Sequence, residues 1–439
     1  MSFFQEDGVL TSRTSTGTDV VTLTGSGASL DVKLVRLVLT GDTATGGANA
    51  DFMIVIGFSD GTDDRCVFAS SEDNVGTSNC DRTHHDDSVL SVYNPAGTLL
   101  DQGTISAIGA GTFTINWPTT KSATAYKIGW TAWGGTDLTG VEVGNFSADT
   151  TSGAHTQNVS TTIKSASAAM FLSAQSTAAL NSAPAAIARI MLGFSDGTNE
   201  GAANVNSQDA TALSDTKRYQ RTNASIVAMN ESGTKVGDGS ITLDATNGIQ
   251  VAWDANKLTA AFVFIYVLVK GGRWEVGSGT THTSAATKSY TTAFQPVGVS
   301  TMSVGNAASS SVVSQNIFSL GSSDSTSSFS FSVGDEDGFG TTQTGTYHST
   351  ANVVQTFTAT QLTAGGGIAS LIGEGTFDSF NATDVTLDFT GNPDSFAREF
   401  IWLVCAENAS TGGVVRRIAG EGGLAGMGGI AGLHGGLAG

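Results

Sequence analysis

The sequence holds little charge, little proline and almost no cysteine. Asp, Glu, Lys and Arg make up 13% of its 439 residues, against about 25% in an average soluble protein. Ser, Thr, Gly, Ala and Asn stand where helices would draw on Leu, Lys, Glu and Gln, so the composition argues against a helical protein and for short strands and tight turns. Five prolines beside 56 glycines exclude a collagenous or proline-rich stalk over most of the length. The 20 basic residues against 39 acidic ones give a net charge of −19. That balance argues against nucleic acid, whose phosphates need clustered Lys and Arg. No apolar run reaches the ~20 residues of a membrane helix. The longest, Leu258 to Val269, has the length of a buried strand. The N-terminus Met1-Ser2-Phe3-Phe4-Gln5-Glu6-Asp7 carries no basic leader, so no signal peptide is expected and the chain should stay in the cell, leave by an unusual route, or leave as part of a particle released by lysis. Of three cysteines, Cys405 reads as a small core residue. Cys66 and Cys80 flank a polar loop, where a disulfide is the lesser alternative.

What is present is a repeat with a period of 136 residues. Gly57-Phe58-Ser59-Asp60-Gly61-Thr62 returns as Gly193-Phe194-Ser195-Asp196-Gly197-Thr198. Phe113, Ile115 and Trp117 return as Ile249, Val251 and Trp253, then as Val385, Leu387 and Phe389. The period implies one domain used three times. Thr112 to Trp117 alternates as a half-buried strand, and Phe52 to Phe58 is apolar enough to be covered on both faces. The expected fold is all-β: three tandem antiparallel β-sandwich or jelly-roll-like domains of six to eight strands, plus an extended Gly-rich C-terminal segment. The boundaries are an N-terminal arm over 1–17, repeats over 18–152, 153–288 and 289–412, and a tail over 413–439. Val141-Glu142-Val143-Gly144 and Trp274-Glu275-Val276-Gly277 read as links between repeats. In the third repeat, Asp335-Glu336-Asp337-Gly338 takes the place of Ser-Asp-Gly. The polar stretch after each such turn, about 25 residues, reads as a variable loop.

The tail has glycine at every third place from Gly420 to Gly435, including Gly423, Gly426, Gly429 and Gly432. The following slot holds Leu424, Met427, Ile430 and Leu433. A three-residue period fits an extended helix with glycine where backbones crowd, and the apolar stripe needs a partner. These residues are the candidate assembly segment of a homo-oligomer, a trimer by the glycine period. A flexible Gly-rich tail is the alternative.

Candidate chemistry is sparse. His84, His85 and Asp86 are weak metal candidates beside Cys66 and Cys80, but the spacing matches no zinc pattern, and adjacent histidines in a strand face opposite ways. Asp60-Gly61-Thr62-Asp63-Asp64 lacks the full ligand set of a calcium loop and reads as a hairpin turn. There is no phosphate loop or His-Glu-x-x-His, and no enzyme, cofactor or catalytic residue is assigned. Trp117, Trp130, Trp253 and Trp402 fall on core faces, whereas Trp133 and Trp274, at strand ends beside paired glycines, are the candidates for surface contact with glycans.

Tandem β-sandwich repeats, low charge, Ser/Thr/Gly/Ala/Asn richness and the tail Gly422-Gly423-Leu424-Ala425-Gly426-Met427-Gly428-Gly429-Ile430-Ala431-Gly432 together resemble structural proteins of tailed bacteriophage virions. That resemblance implies a particle component made in the host cytoplasm: a fibre or spike subunit touching the host surface, with other virion proteins as partners. A capsid or tail decoration protein is the first alternative and a secreted bacterial carbohydrate-binding protein the second. A glycoside-cleaving enzyme is a distant further reading.

Overall fold

A computed structural model describes residues 2–409, apart from 47, 119–120, 255–257, 307–310 and 369. Among the described residues the regular secondary structure is strand throughout, apart from one short 3-10 turn at Ala359–Gln361. It forms three all-β sandwiches, each of a large and a small antiparallel sheet. In unit 1 the large sheet runs Phe4–Thr11, Lys127–Gly134, Val32–Leu39, Phe52–Ser59, Asp64–Ser71 and Cys80–His85. Its small sheet runs Gly17–Thr22, Thr112–Trp117, Leu99–Gly109 and Leu90–Tyr93. Units 2 and 3 repeat this order, starting from the strands Leu138–Ser147 and Arg273–Thr280.

Burial explains the two sequence patterns. Each small sheet faces solvent on one side, and Phe113, Ile115 and Trp117 point inward while Thr114 and Asn116 do not. Each large sheet is covered on both faces, which is why its strands read as continuous apolar runs. One face packs on its own small sheet, making a private core in each unit. The other face enters a core shared by all three, where Ile54 and Ile56 meet Ile190 and Leu192 and then Leu320 and Phe331.

The three units close into a ring. The outer edge of the unit 1 large sheet, Cys80–His85, pairs with Ala185–Ala186 of unit 2. The same edge of unit 2, Thr216–Arg221, pairs with Val313–Ser314 of unit 3. That of unit 3, Thr344–Ser349, returns to Ala48–Asn49 of unit 1. No large sheet therefore leaves that edge open as a template for aggregation. A left-handed residue follows each short strand, directly at Ile187 and Gln315 (φ 78° and 77°) and two residues on at Asp51 (φ 66°). A β-branched residue such as Ile187 resists that conformation. The neighbour holds it in place, since Ile187 N–H donates to Cys80 O (2.8 Å) and Gln315 N–H to Thr216 O (2.9 Å).

Four expectations change. The units have ten main strands rather than six to eight, because the stretch read as a polar loop folds into two of them. In unit 1 these are Asp64–Ser71 and Cys80–His85; their polar side chains are buried by the next unit, which the sequence of one unit cannot show. The segments read as links are first strands: Leu138–Ser147 pairs with Val263–Gly271, and Arg273–Thr280 with Glu399–Ala406. The N-terminal arm holds the corresponding strand of unit 1, Phe4–Thr11. The third Ser-Asp-Gly-Thr turn is Ser323-Asp324-Ser325-Thr326, not Asp335–Gly338. Ser325 has φ 77° where Gly61 and Gly197 have 85° and 83°. The cysteines are free, with Cys66 beside Ser88 and Cys80 beside Ser71.

Candidate functional site

The turn aspartate builds both the turn and the ring. Asp60 Oδ1 accepts from the backbone of Thr62 (2.9 Å) and Asp63 (2.8 Å), while its Oδ2 accepts from Val143 N–H of unit 2 (3.1 Å). Asp196 likewise holds its own turn and accepts from Val276 N–H of unit 3 (2.9 Å). Asp324 holds its turn and accepts from Asp7 N–H of unit 1 (2.9 Å). Before each turn, Gly57, Gly193 and Gly321 pass so close to the small sheet that a Cβ would lie 1.8, 1.8 and 1.9 Å from a carbonyl oxygen. Close approach, rather than flexibility, is what requires glycine at that position.

A second repeated carboxylate ties the first strand to the loop after the second. Glu6 accepts from the backbone of Thr24, Gly25 and Gly27, Glu142 from Thr162 and Ile163, and Glu275 from Ala293. The signal was present in the sequence as Glu-x-Gly at 6–8, 142–144 and 275–277. Its third copy, in the N-terminal arm, went unread.

The seam between units 3 and 1 adds a buried polar network. Arg36 Nη2 donates to Thr131 Oγ1 (2.9 Å), and that hydroxyl donates to Asp7 Oδ1 (2.6 Å). Gln5 Nε2 donates to Asp7 Oδ2 (2.7 Å) and to Ser322 Oγ (3.1 Å). The guanidinium of Arg36 lies over Trp133 (5.4 Å) and Phe329 (6.0 Å), a cation–π arrangement. Burial, helped by the nearby charge of Asp324, pushes the Asp7 carboxyl up to about 7. Burial brings Arg36 down to about 10.

The tips of the stretches read from sequence as variable loops interlock. Ser78 N–H donates to Thr211 O (3.0 Å), Ser214 N–H to Phe339 O (2.9 Å), and Thr342 N–H to Val75 O (3.0 Å). Each tip thus bonds to the other two units, at the ends of the large-sheet strands opposite the inter-unit links. Just below, burial pushes Asp335, beside Ser71 and Ser207, up to about 7.

The sequence candidates lie as follows. Trp133 and Trp274 are not surface residues: they are 0% and 8% exposed in the shared core, with ring centres 6.5 Å apart. Trp133 Nε1 donates to Gln5 Oε1 (2.9 Å) and Trp274 Nε1 to Gly271 O (2.9 Å). Strand ends beside glycines look exposed when one unit is considered alone, and the two neighbouring units cover them. His84 and His85 face opposite ways. His84 Nε2 meets Ala178 O of unit 2 (3.1 Å), and His85 Nε2 meets the Tyr93 hydroxyl (2.9 Å). Burial holds both imidazoles below their ordinary value. Asp86 accepts from Asn181 Nδ2 of unit 2 (2.6 Å). The cluster clamps units 1 and 2, and among the described residues no group of three or more His, Cys, Asp or Glu is placed to hold a metal. The assembly candidates Gly423, Leu424, Gly426, Met427, Gly429, Ile430, Gly432 and Leu433 lie outside the described residues.

No family model and no curated protein matches the chain. Among solved structures, the LG1-3 region of the laminin alpha2 chain aligns over 89% of this chain and 96% of its own at 10% identity. Its TM-score of 0.09 is too low to bear on either fold or function.

Proposed function

We propose that this chain is a non-enzymatic structural component of a phage particle, a fibre or spike subunit whose outer surface meets the host. The observation that carries the reading is the ring: three sandwiches share one core and cover one another's sheet edges within a single polypeptide. Such a block is suited to bearing load and to presenting a threefold surface. Low charge and small polar side chains suit dense packing beside other particle proteins. Gold-labelled antibody against the chain, viewed on purified particles by electron microscopy, should decorate fibre or spike tips, and particles lacking the gene product should lose adsorption. Unlabelled particles would end the proposal.

The closed ring also favours a second reading, a decoration protein seated on a threefold position of the shell. Label spread over the capsid would select it. In both readings residues 413–439 supply assembly, and the homotrimer expected from them is a trimer of rings. Light scattering should then give three times 44.6 kDa for the full chain and a monomer for a chain ending at Asn408.

A further inference from the structure

The three units differ beside the Ser-Asp-Gly-Thr turn. In unit 1, Ile108 packs on the turn glycine Gly61, so that a Cβ there would lie 2.6 Å from it; in unit 2, Leu243 packs on Gly197 in the same way at 3.4 Å. Strand register gives Phe380 as their counterpart, since Ile108, Leu243 and Phe380 pair with Phe113, Ile249 and Val385. Phe380 does not close the gap. It packs on Phe377, with ring centres 4.5 Å apart, across an irregularity in register at Phe377/Ser379. Between this aromatic pair and the turn Asp324-Ser325-Thr326 lies a cleft of about 660 Å³, completed by Ser26 of unit 1. That volume falls within the range of small-molecule sites, about 300–1,000 Å³.

The lining defines the chemistry. The half-buried rings of Phe377 and Phe380, tilted 57° to each other, offer an apolar wall. Gln295, Arg273, Asp378 and Glu407 stand around it. Arg273 is held in place by Nε donating to Glu407 O (2.9 Å) and by stacking on Phe294 (4.7 Å). An aromatic wall facing planar amide, guanidinium and carboxylate groups matches the apolar face and the hydroxyl edge of a pyranose ring. Asp324, Asp378 and Glu407 outnumber Arg273, so an acidic sugar would be repelled.

We propose that this cleft, at the seam of units 3 and 1, binds a short neutral oligosaccharide. The inference rests on the reading that the protein meets a host surface. The full chain applied to an array of neutral and acidic glycans should bind neutral ones, with calorimetry on the best hit giving an affinity. Phe380→Ala should weaken that affinity about tenfold, and Asp378→Asn, a change at an exposed residue that spares the fold, about threefold. Absence of any neutral glycan, a preference for acidic ones, or unchanged affinity in both variants overturns the proposal. Particle labelling separates the two ideas. A labelled fibre that ignores glycans sinks the cleft alone, and glycan binding by a protein absent from particles sinks the virion reading alone.

Discussion

Two seams of the ring are crossed by the chain and one is not, and they are built differently. Between units 1 and 2 the first strand contributes Val141 and Val143, against Met170 and Val267 of its own sheet. At the corresponding places the seam between units 3 and 1 has Gln5, Asp7, Arg36 and Thr131. The linked seam is greasy, whereas the unlinked one carries a buried charge pair bridged by a hydroxyl. Hydrophobic burial has no direction, so a covalent link is enough to bring its two sides into register. Where no link exists, hydrogen bonds with fixed geometry distinguish the right neighbour from a slipped one, a role buried polar groups fill in some proteins.

The strongest test exchanges one seam's chemistry for the other's. Asp7→Val takes the acceptor from Gln5 Nε2 and the Thr131 hydroxyl, leaves buried donors unpaired, and should cost about 3 kcal/mol in denaturant unfolding. Arg36→Met should cost less, because Asp7 can neutralise itself by taking a proton at about 7 while Arg36, at about 10, stays charged. Combining Asp7→Val, Arg36→Met and Thr131→Val copies the greasy seam and should recover most of the loss. Failure to recover would mean that the polar network does more than replace an apolar contact.

The clamp aspartates give the next largest effect. Asp60→Ala and Asp324→Ala each remove turn bonds and one bond between units, worth about 1–3 kcal/mol. The loss should be larger for Asp324, whose seam has no chain to hold it. Equal losses would show that the missing link does not matter.

A pH series probes the same contrast more gently. Asp7 and Asp335 both have folded values near 7, above the ordinary 3.8. A carboxyl raised on folding favours the protonated protein, so its stabilisation is complete at low pH and is lost as pH rises through about 7. The melting temperature should fall from pH 5 to pH 8. Asp7→Asn and Asp335→Asn should each flatten the slope, and a slope unchanged in both would refute the assignment.

The smallest effect is expected from moving the break. Ser2 N–H donates to Glu407 Oε1 (3.0 Å), and both Ser2 Oγ and Asn408 N–H donate to Asp137 Oδ2 (2.8 Å each), so Ser2 and Asn408 meet at the link between units 1 and 2. A permuted chain that joins Asn408 to Ser2 and opens at Thr136 should fold with stability within about 1 kcal/mol of the parent. If it does not fold, the greasy seam depends on its link, and the contrast between seams becomes sharper.

Much of the fold was legible because each unit repeats its private core. Phe113, Ile115 and Trp117 alternate, and their echoes kept the period. The sandwich could therefore be read from one unit. What could not be read was anything that depends on a second unit. Trp133 and Trp274 look like rim residues until two neighbours close over them. The polar strand Cys80–His85 looks like a loop until Ala185–Ala186 lies beside it. Ser325 hid the third turn because it lacks the glycine, although it takes the glycine's conformation. The candidate site suffered most. The stretches read as variable loops lock to one another, and the cleft arises from Phe380, which the sequence shows only as one more apolar residue.

The bond from Asp7 to Asp324 joins residues 317 apart. Synthesis at roughly 5–20 residues per second leaves the first strand waiting tens of seconds for its last neighbour. Through that interval the shared-core face of unit 1 stands open to water and to other nascent chains. The ring is therefore a structure that finishes late, and the cell that makes it must keep a half-built core from meeting another copy of itself.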